Sequence, residues 1–262
     1  MSKEQEPAGD DANGHLAGAS AITKENPGIM TQRTPGLVIA TLILSLLSNV
    51  SWADHGRDFL LVQTARLGDV GSVIGIARQD YTREEGGNAF AFEPLLSWTA
   101  RDWLSLEING NAEKVQGESF NYEATVAGLR LRFTPKVQAL GLGLAARYDI
   151  AAKDNGSDAL KLSGLGTYEV GKWLFGANLN YEKPEGARRE WGYAAGIKRE
   201  LRHHLGVGLE VAGRFEEEKS GEVVVGVFSE LTHDLQINAG VGTGFNNEVD
   251  LTVKTALIWR FR

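Results

Sequence analysis

The chain has 262 residues, a formal net charge of −7 and no cysteine, with a mean hydropathy of −0.21. The acidic balance argues against a nucleic-acid partner, and the lack of cysteine rules out a disulfide framework and a thiolate metal site. With only one long apolar run, too short to span a bilayer, an α-helical membrane protein is excluded; a β-barrel, whose apolar residues are spread by alternation, is not.

Residues 1–29 are polar, with neither helical nor strand periodicity, and read as a disordered or untranslated extension. Met30 is the only other methionine; Arg33, an eleven-residue apolar run at 37–47 and Ser51-Trp52-Ala53 follow it. That is the layout of a secretory signal peptide over 30–53, with cleavage expected after Ala53 and Met30 as the expected start. The mature chain would then hold 262 − 53 = 209 residues, enough for one domain, with 24 basic against 29 acidic residues. Residues 54–70 form an N-terminal periplasmic or lumenal segment. Its part 58–66, containing Phe59-Leu60-Leu61-Val62, fits no membrane register; it could cross the periplasmic mouth, occupy the lumen or extend the first strand.

From residue 71 to 262 the chain breaks into twelve short runs rich in Val, Leu, Ile, Tyr and Gly: 71–82, 89–98, 103–112, 119–133, 138–150, 159–169, 172–182, 190–201, 204–216, 222–231, 235–245 and 249–261. No gap between them is long enough for a helical crossover, so the pattern predicts antiparallel hairpins. Charged, Gly-rich gaps alternate with tighter ones such as Val170-Gly171 and Arg202-His203. The first kind suits outward loops and the second periplasmic turns. The fold class expected is therefore all-β: an antiparallel up-and-down transmembrane β-barrel of about 12 strands with short loops.

Alternation is clean in the seventh run, where Trp173, Phe175, Ala177, Leu179 and Tyr181 oppose Leu174, Gly176, Asn178, Asn180 and Glu182. In the fourth it slips between Val126 and Leu129, which predicts a β-bulge there. Pro94 in the second run cannot donate to a ladder and calls for a bulge or a strand end. The last run puts Val249, Leu251, Val253, Thr255, Leu257, Trp259 and Phe261 on one face and Asp250, Thr252, Lys254, Ala256, Ile258, Arg260 and Arg262 on the other; a soluble sheet alternates too, so this strand alone does not settle the surroundings.

Aromatics cluster towards the run ends, giving two expected interface belts that include Tyr81, Trp98, Tyr148, Trp173, Tyr181, Trp191, Trp259 and Phe261; mid-run Phe228 is an exception. The polar parity supplies the expected lumen lining: Arg78, Glu107, Arg130, Arg132, Arg147, Lys161, Lys198, Glu210, Arg214 and Lys254. Inward glycines, among them Gly141, Gly143, Gly176, Gly196, Gly206, Gly208, Gly240 and Gly242, would widen the passage or let charges meet across it. The leading expectation is a narrow outer-membrane channel for a small polar or amphipathic solute. The alternative is a closed structural barrel in which these charges pair and block the pore.

A barrel-embedded hydrolase is less favoured. His55, His203, His204 and His233 lie before the barrel or at tight turns, no nucleophile is paired with them, and no catalytic residue, metal or cofactor is assigned. Adhesion is disfavoured by the short outward gaps.

The periodic runs and the ending over 256–261 resemble Gram-negative outer-membrane barrels. That resemblance implies export to the bacterial outer membrane, outer-membrane lipid as surroundings, and a terminal aromatic, here Phe261, read by the outer-membrane assembly machinery; Arg262 after it departs from the pattern. Phe59-Leu60-Leu61-Val62-Gln63-Thr64 followed by Gly68-Asp69-Val70-Gly71 looks like the entry to the first strand in transporter-type barrels associated with aromatic-compound degradation.

Overall fold

The computed structural model describes residues 58–84, 87–136, 138–152, 157–215, 221–245 and 249–261. The expected signal peptide, its cleavage site and Met30 therefore lie outside the described residues.

Twelve strands form the chain from residue 73 onward: β1 (Val73–Glu84), β2 (Gly87–Arg101), β3 (Leu104–Val115), β4 (Asn121–Arg132), β5 (Leu140–Ala151), β6 (Ala159–Val170), β7 (Trp173–Pro184), β8 (Glu190–Arg202), β9 (Leu205–Arg214), β10 (Gly221–Thr232), β11 (Leu235–Gly244) and β12 (Val249–Phe261). Each pairs antiparallel with its sequence neighbour, and β1 closes on β12, from Val73 opposite Phe261 onward, so the sheet is an up-and-down barrel without an edge. Closure satisfies the backbone groups internally, a requirement in hydrocarbon.

The alternation resolves in the sense a membrane demands. Leu96, Ile108, Leu142, Leu179, Leu209, Val225, Val241 and Leu257 are exposed on the outer face. The opposite parity turns Arg130, Asn178, Lys198, Glu210, Asn238 and Lys254 inward, where they are buried. Two-residue turns, Asp102-Trp103, Gly171-Lys172, His203-His204 and His233-Asp234, join strands at one end. His204 adopts φ 73°, the left-handed conformation rare for a non-glycine residue. Burial, and then the neighbouring His203, holds its imidazole below its ordinary value, with Nδ1 3.3 Å from a Glu230 carboxylate oxygen.

Two local expectations are corrected. The β4 bulge falls at Glu123, where the register shifts as Asn111 pairs Ala124 and Ala112 pairs Tyr122. Ala124 and Val126 are then buried on the same face as Arg130 and Arg132. What looked like a later slip is an apolar pair tolerated inside. Pro94 sits neither at a bulge nor at a strand end: it lies in the middle of β2.

Candidate functional site

The segment left without a register in the sequence runs inside the barrel. Phe59, Leu60, Val62, Thr64, Ala65 and Leu67 are all 0–2% exposed, far more deeply buried than any outward-facing residue of the wall. Together with inward Ile74, Ile76, Val224, Phe228 and Ile258, the first three build one hydrophobic cluster within the lumen. Phe59 meets Phe228 edge-on at 6.2 Å between ring centroids. Burying side chains of this size is worth about 1.5–3 kcal/mol each relative to a wetted lumen.

An extended segment inside a barrel cannot use a ladder, so its backbone must find side-chain partners. The wall supplies them in sequence. The Glu210 carboxylate accepts the N–H groups of Leu60 at 2.8 Å, Leu61 at 2.6 Å and Val62 at 3.0 Å. Gln63 donates its N–H to Asn178 Oδ1 at 2.8 Å, and its carbonyl accepts from Asn178 Nδ2 at 2.7 Å. The Ala65 N–H donates to Thr167 Oγ1 at 2.9 Å, and Arg130 donates to the Arg66 carbonyl at 3.2 Å. The strap thus passes from β9 to β7, β6 and β4 as it advances. Asp58 lies 3.8 Å from Lys198 and 3.5 Å from Arg66, whose guanidinium also pairs with Glu169.

Several of the inward glycines, expected to widen the lumen or let charges meet across it, instead seat this strap. A Cβ at Gly176 would stand 2.6 Å from Val62 and 3.1 Å from Phe59, and one at Gly240 would stand 2.6 Å from Leu60. At Gly143 it would come within 3.3 Å of Ala65. Their lack of a side chain makes room for another segment of the same chain.

The lumen-lining candidates all lie on the inward parity, and their charges mostly meet along the wall. Glu107 binds both Arg130 and Arg147, the latter at 3.3 Å. Lys161 reaches Asp149 at 2.9 Å and Glu182 at 3.2 Å, while Lys254 reaches Asp80 at 2.8 Å and Glu222 at 3.2 Å. Arg78 pairs with Glu93 and Arg214 with Glu190. Arg132 donates to the carbonyls of Thr134 and Pro135. Lys198 lies over the Phe228 ring at 5.1 Å, and Glu210 holds the strap.

Towards the loop end the described residues leave space inside the wall. A cavity of about 540 Å³ is lined by Glu182, Glu190, Arg214, Glu222 and Lys254, among others. A second, of about 210 Å³, lies between Arg147, Lys161 and Glu182 and is bordered by Gln63 of the strap. Among the described residues no group of three His, Asp or Glu is placed to hold a metal ion. On the outer face Trp98, Tyr148, Trp173, Trp191, Trp259 and Phe261 are exposed, and Tyr81 and Tyr181 half-buried. Trp259 stacks on Phe261 at 5.2 Å, and Tyr181 meets Trp191 at 5.0 Å.

Sequence reasoning assigned no role to Thr167, Asp58 or the core residues of the strap. The usable signal was the coincidence of an unplaced apolar segment with glycines on the inward parity.

No protein-family model matches the sequence, and no curated protein matches it. Solved structures do share its architecture. The COG4313 outer membrane channel from Pseudomonas putida F1 superposes with a TM-score of 0.57 at 11% identity, over 73% of this chain and 96% of that one. The KdgM porin gives 0.54 at 10% identity, over 72% and 99%, and the NanC porin 0.53 at 8% identity, over 71% and 98%. The chain therefore has the fold of outer-membrane channel barrels: a closed antiparallel cylinder of twelve strands, apolar outside and charged within.

Proposed function

We propose that this protein is a bacterial outer-membrane channel for small polar or amphipathic solutes whose inner half is occupied by its own N-terminal strap. The observation that carries the reading is the division of the lumen: a charged cavity of about 540 Å³ at the loop end, above a segment seated on Glu210, Asn178 and Thr167. The likeness in fold to the KdgM and NanC porins and the COG4313 channel supports passage over catalysis. One neighbouring structure is the KdgM porin in complex with a disordered oligogalacturonate; the mixed charges of this vestibule suit a small polar solute in the same general way. Short turns at the strap end fit the periplasmic side, and the outward Phe261 suits recognition by the assembly machinery.

The closed-barrel reading has an observation of its own, because the strap blocks the inner half as it stands. Planar-bilayer conductance of the full mature chain beside a variant lacking residues 58–66 separates the two. A channel shows rare openings in the first and steady current in the second. No current from either form in any salt would leave a closed barrel.

A further inference from the structure

Two lysines of the inner wall, Lys161 and Lys254, are each outnumbered by carboxylates. Lys161 on β6 lies 2.9 Å from Asp149 on β5 and 3.2 Å from Glu182 on β7. Lys254 on β12 lies 2.8 Å from Asp80 on β1 and 3.2 Å from Glu222 on β10. Among the described residues each cluster sets two carboxylates against one ammonium, so each keeps an excess negative charge. Whichever way the twelve-stranded cylinder is followed, β6 and β12 stand six strands apart, and the two clusters face one another across the lumen. The cavity of about 540 Å³ reaches both, touching Glu182 on one side and Glu222 and Lys254 on the other. Glu84, Glu190 and Arg214 also line it, and Arg214 is held by Glu190 at 3.2 Å.

Charge of this sign would by itself mark only a region where cations collect. The hydrogen bonding of the wall is more specific. Asp149 Oδ1 in one cluster and Asp80 Oδ1 in the other are buried without a hydrogen-bond partner, and so is Thr252 Oγ1, two positions from Lys254. Thr252 is 1% exposed, stands opposite Thr82 on the inward parity and lines the cavity. Buried polar atoms left in this state call for a partner. Glu182 and Glu222 keep 31% and 28% of their side-chain surface exposed, so both present carboxylate to the cavity. All these oxygens can accept, and a primary ammonium brings three donors and no acceptor. An anionic solute would bring acceptors to acceptors, against a like charge.

We propose that this vestibule is a binding site for a linear diammonium compound, an α,ω-diaminoalkane. One cationic end pairs with Asp149 and Glu182, the other with Asp80 and Glu222 on the opposite wall, where Thr252 accepts a further hydrogen bond. The alkyl stem between them needs no polar partner. A divalent metal ion would answer the charge but not the separation, since among the described residues no group of three His, Asp or Glu is placed to hold one. That a diamine is the solute carried rests on the channel reading; the site itself does not.

The test is calorimetry on the full mature chain in a non-ionic detergent at fixed ionic strength. The probes are diaminobutane, diaminohexane and diaminooctane, each beside the monoamine of equal length, with succinate and magnesium chloride as further arms. At least one diamine should bind about tenfold more tightly than its monoamine, a difference of about 1.4 kcal/mol, and succinate should give no heat above dilution. Diamines no tighter than their monoamines, or matched by magnesium, would overturn the site, since a diffuse negative field holds every cation by charge alone.

Two variants divide the site. Glu182→Gln and Glu222→Gln each remove the excess charge of one cluster, and each should bring the best diamine down to about the affinity of its monoamine. Glu200→Gln, at the short-turn end of β8 and away from the cavity lining, should leave it unchanged. Diamine affinity unaltered in both of the first two variants would sink the assignment. Ion conductance of the same preparation, with and without residues 58–66, keeps the two readings apart: diamine binding with no current from either form retains the site and defeats the channel, whereas current without a preference for diamines does the reverse.

Discussion

The inner and outer halves of this lumen are built from the same strands with the same alternation, yet they are filled in opposite ways. Near the short-turn end the inward positions include Gly176, Gly196 and Gly240, and the space above them is taken by Phe59, Leu60 and Val62. Near the loop end the inward positions are long and charged, and Lys254, Glu222, Arg214 and Glu190 pair along the wall around an open cavity. Paired charges on a wall leave a pore through which water can pass; an apolar segment with its backbone satisfied removes the water. On the proposed reading, the strap, and not the wall's charge pairing, would set whether the passage is open.

The largest effect should come from removing the strap outright. A chain lacking residues 58–66 is expected to insert and to carry steady current where the full chain is mostly silent. Bilayer recording checks this, and a deletion variant as silent as its parent would erase the contrast between the halves.

Crowding the seat should come next. Gly176→Val puts atoms where Val62 and Phe59 now lie, and overpacking of this kind costs about 1–3 kcal/mol. The strap should be displaced more often, seen as a higher open probability and as faster labelling of a cysteine placed at Gln63. The same change at Gly164, where the nearest atom to an added Cβ is 4.0 Å away, should leave both readouts unchanged.

Glu210→Gln removes the charged acceptor shared by three N–H groups. Hydrogen bonds to charged groups contribute about 1.5–3 kcal/mol each; losing roughly 2 kcal/mol would raise the open population about thirtyfold. An unaltered open probability would show that apolar packing alone holds the strap. In the outer half, Glu222→Gln should shift only the preference between anions and cations, measured as a reversal potential in a salt gradient, because the open time is set elsewhere.

The smallest effect concerns the turn at His204. Its folded-state value is depressed by burial, so the neutral form is the one stabilised: the contribution is present above the ordinary imidazole value and is lost as the pH falls through the lower, folded one. Glu230 and Glu200 face the ring from the neighbouring strands and limit the loss. His204→Gly keeps the left-handed turn at φ 73° and should flatten a small downward drift in thermal midpoint between neutral and mildly acidic pH, measured by heat-dependent migration in gels.

The sequence by itself determined the barrel. Runs such as 173–182 alternate residue by residue, and a period of two carries its own face assignment. The closing strand puts Trp259 and Phe261 on one parity and Lys254 and Arg260 on the other, but a soluble sheet alternates too, and only the closed barrel decided which parity faces outward. The inward placement of Arg78, Glu107, Lys161 and Lys254 follows from the same local rule. The partners of those residues do not follow from it, since Lys254 finds Asp80 across 174 positions of sequence. The strap and its seat lie still further from local pattern. Phe59-Leu60-Leu61-Val62 has no period to read because its surroundings come from all round the cylinder, β9, β7, β6 and β4 in turn. A glycine on an inward face reads as empty space until the segment that fills it is in place. Pro94 announced a missing donor, but only the closed sheet decided that the loss falls in the middle of β2 and not at a strand end.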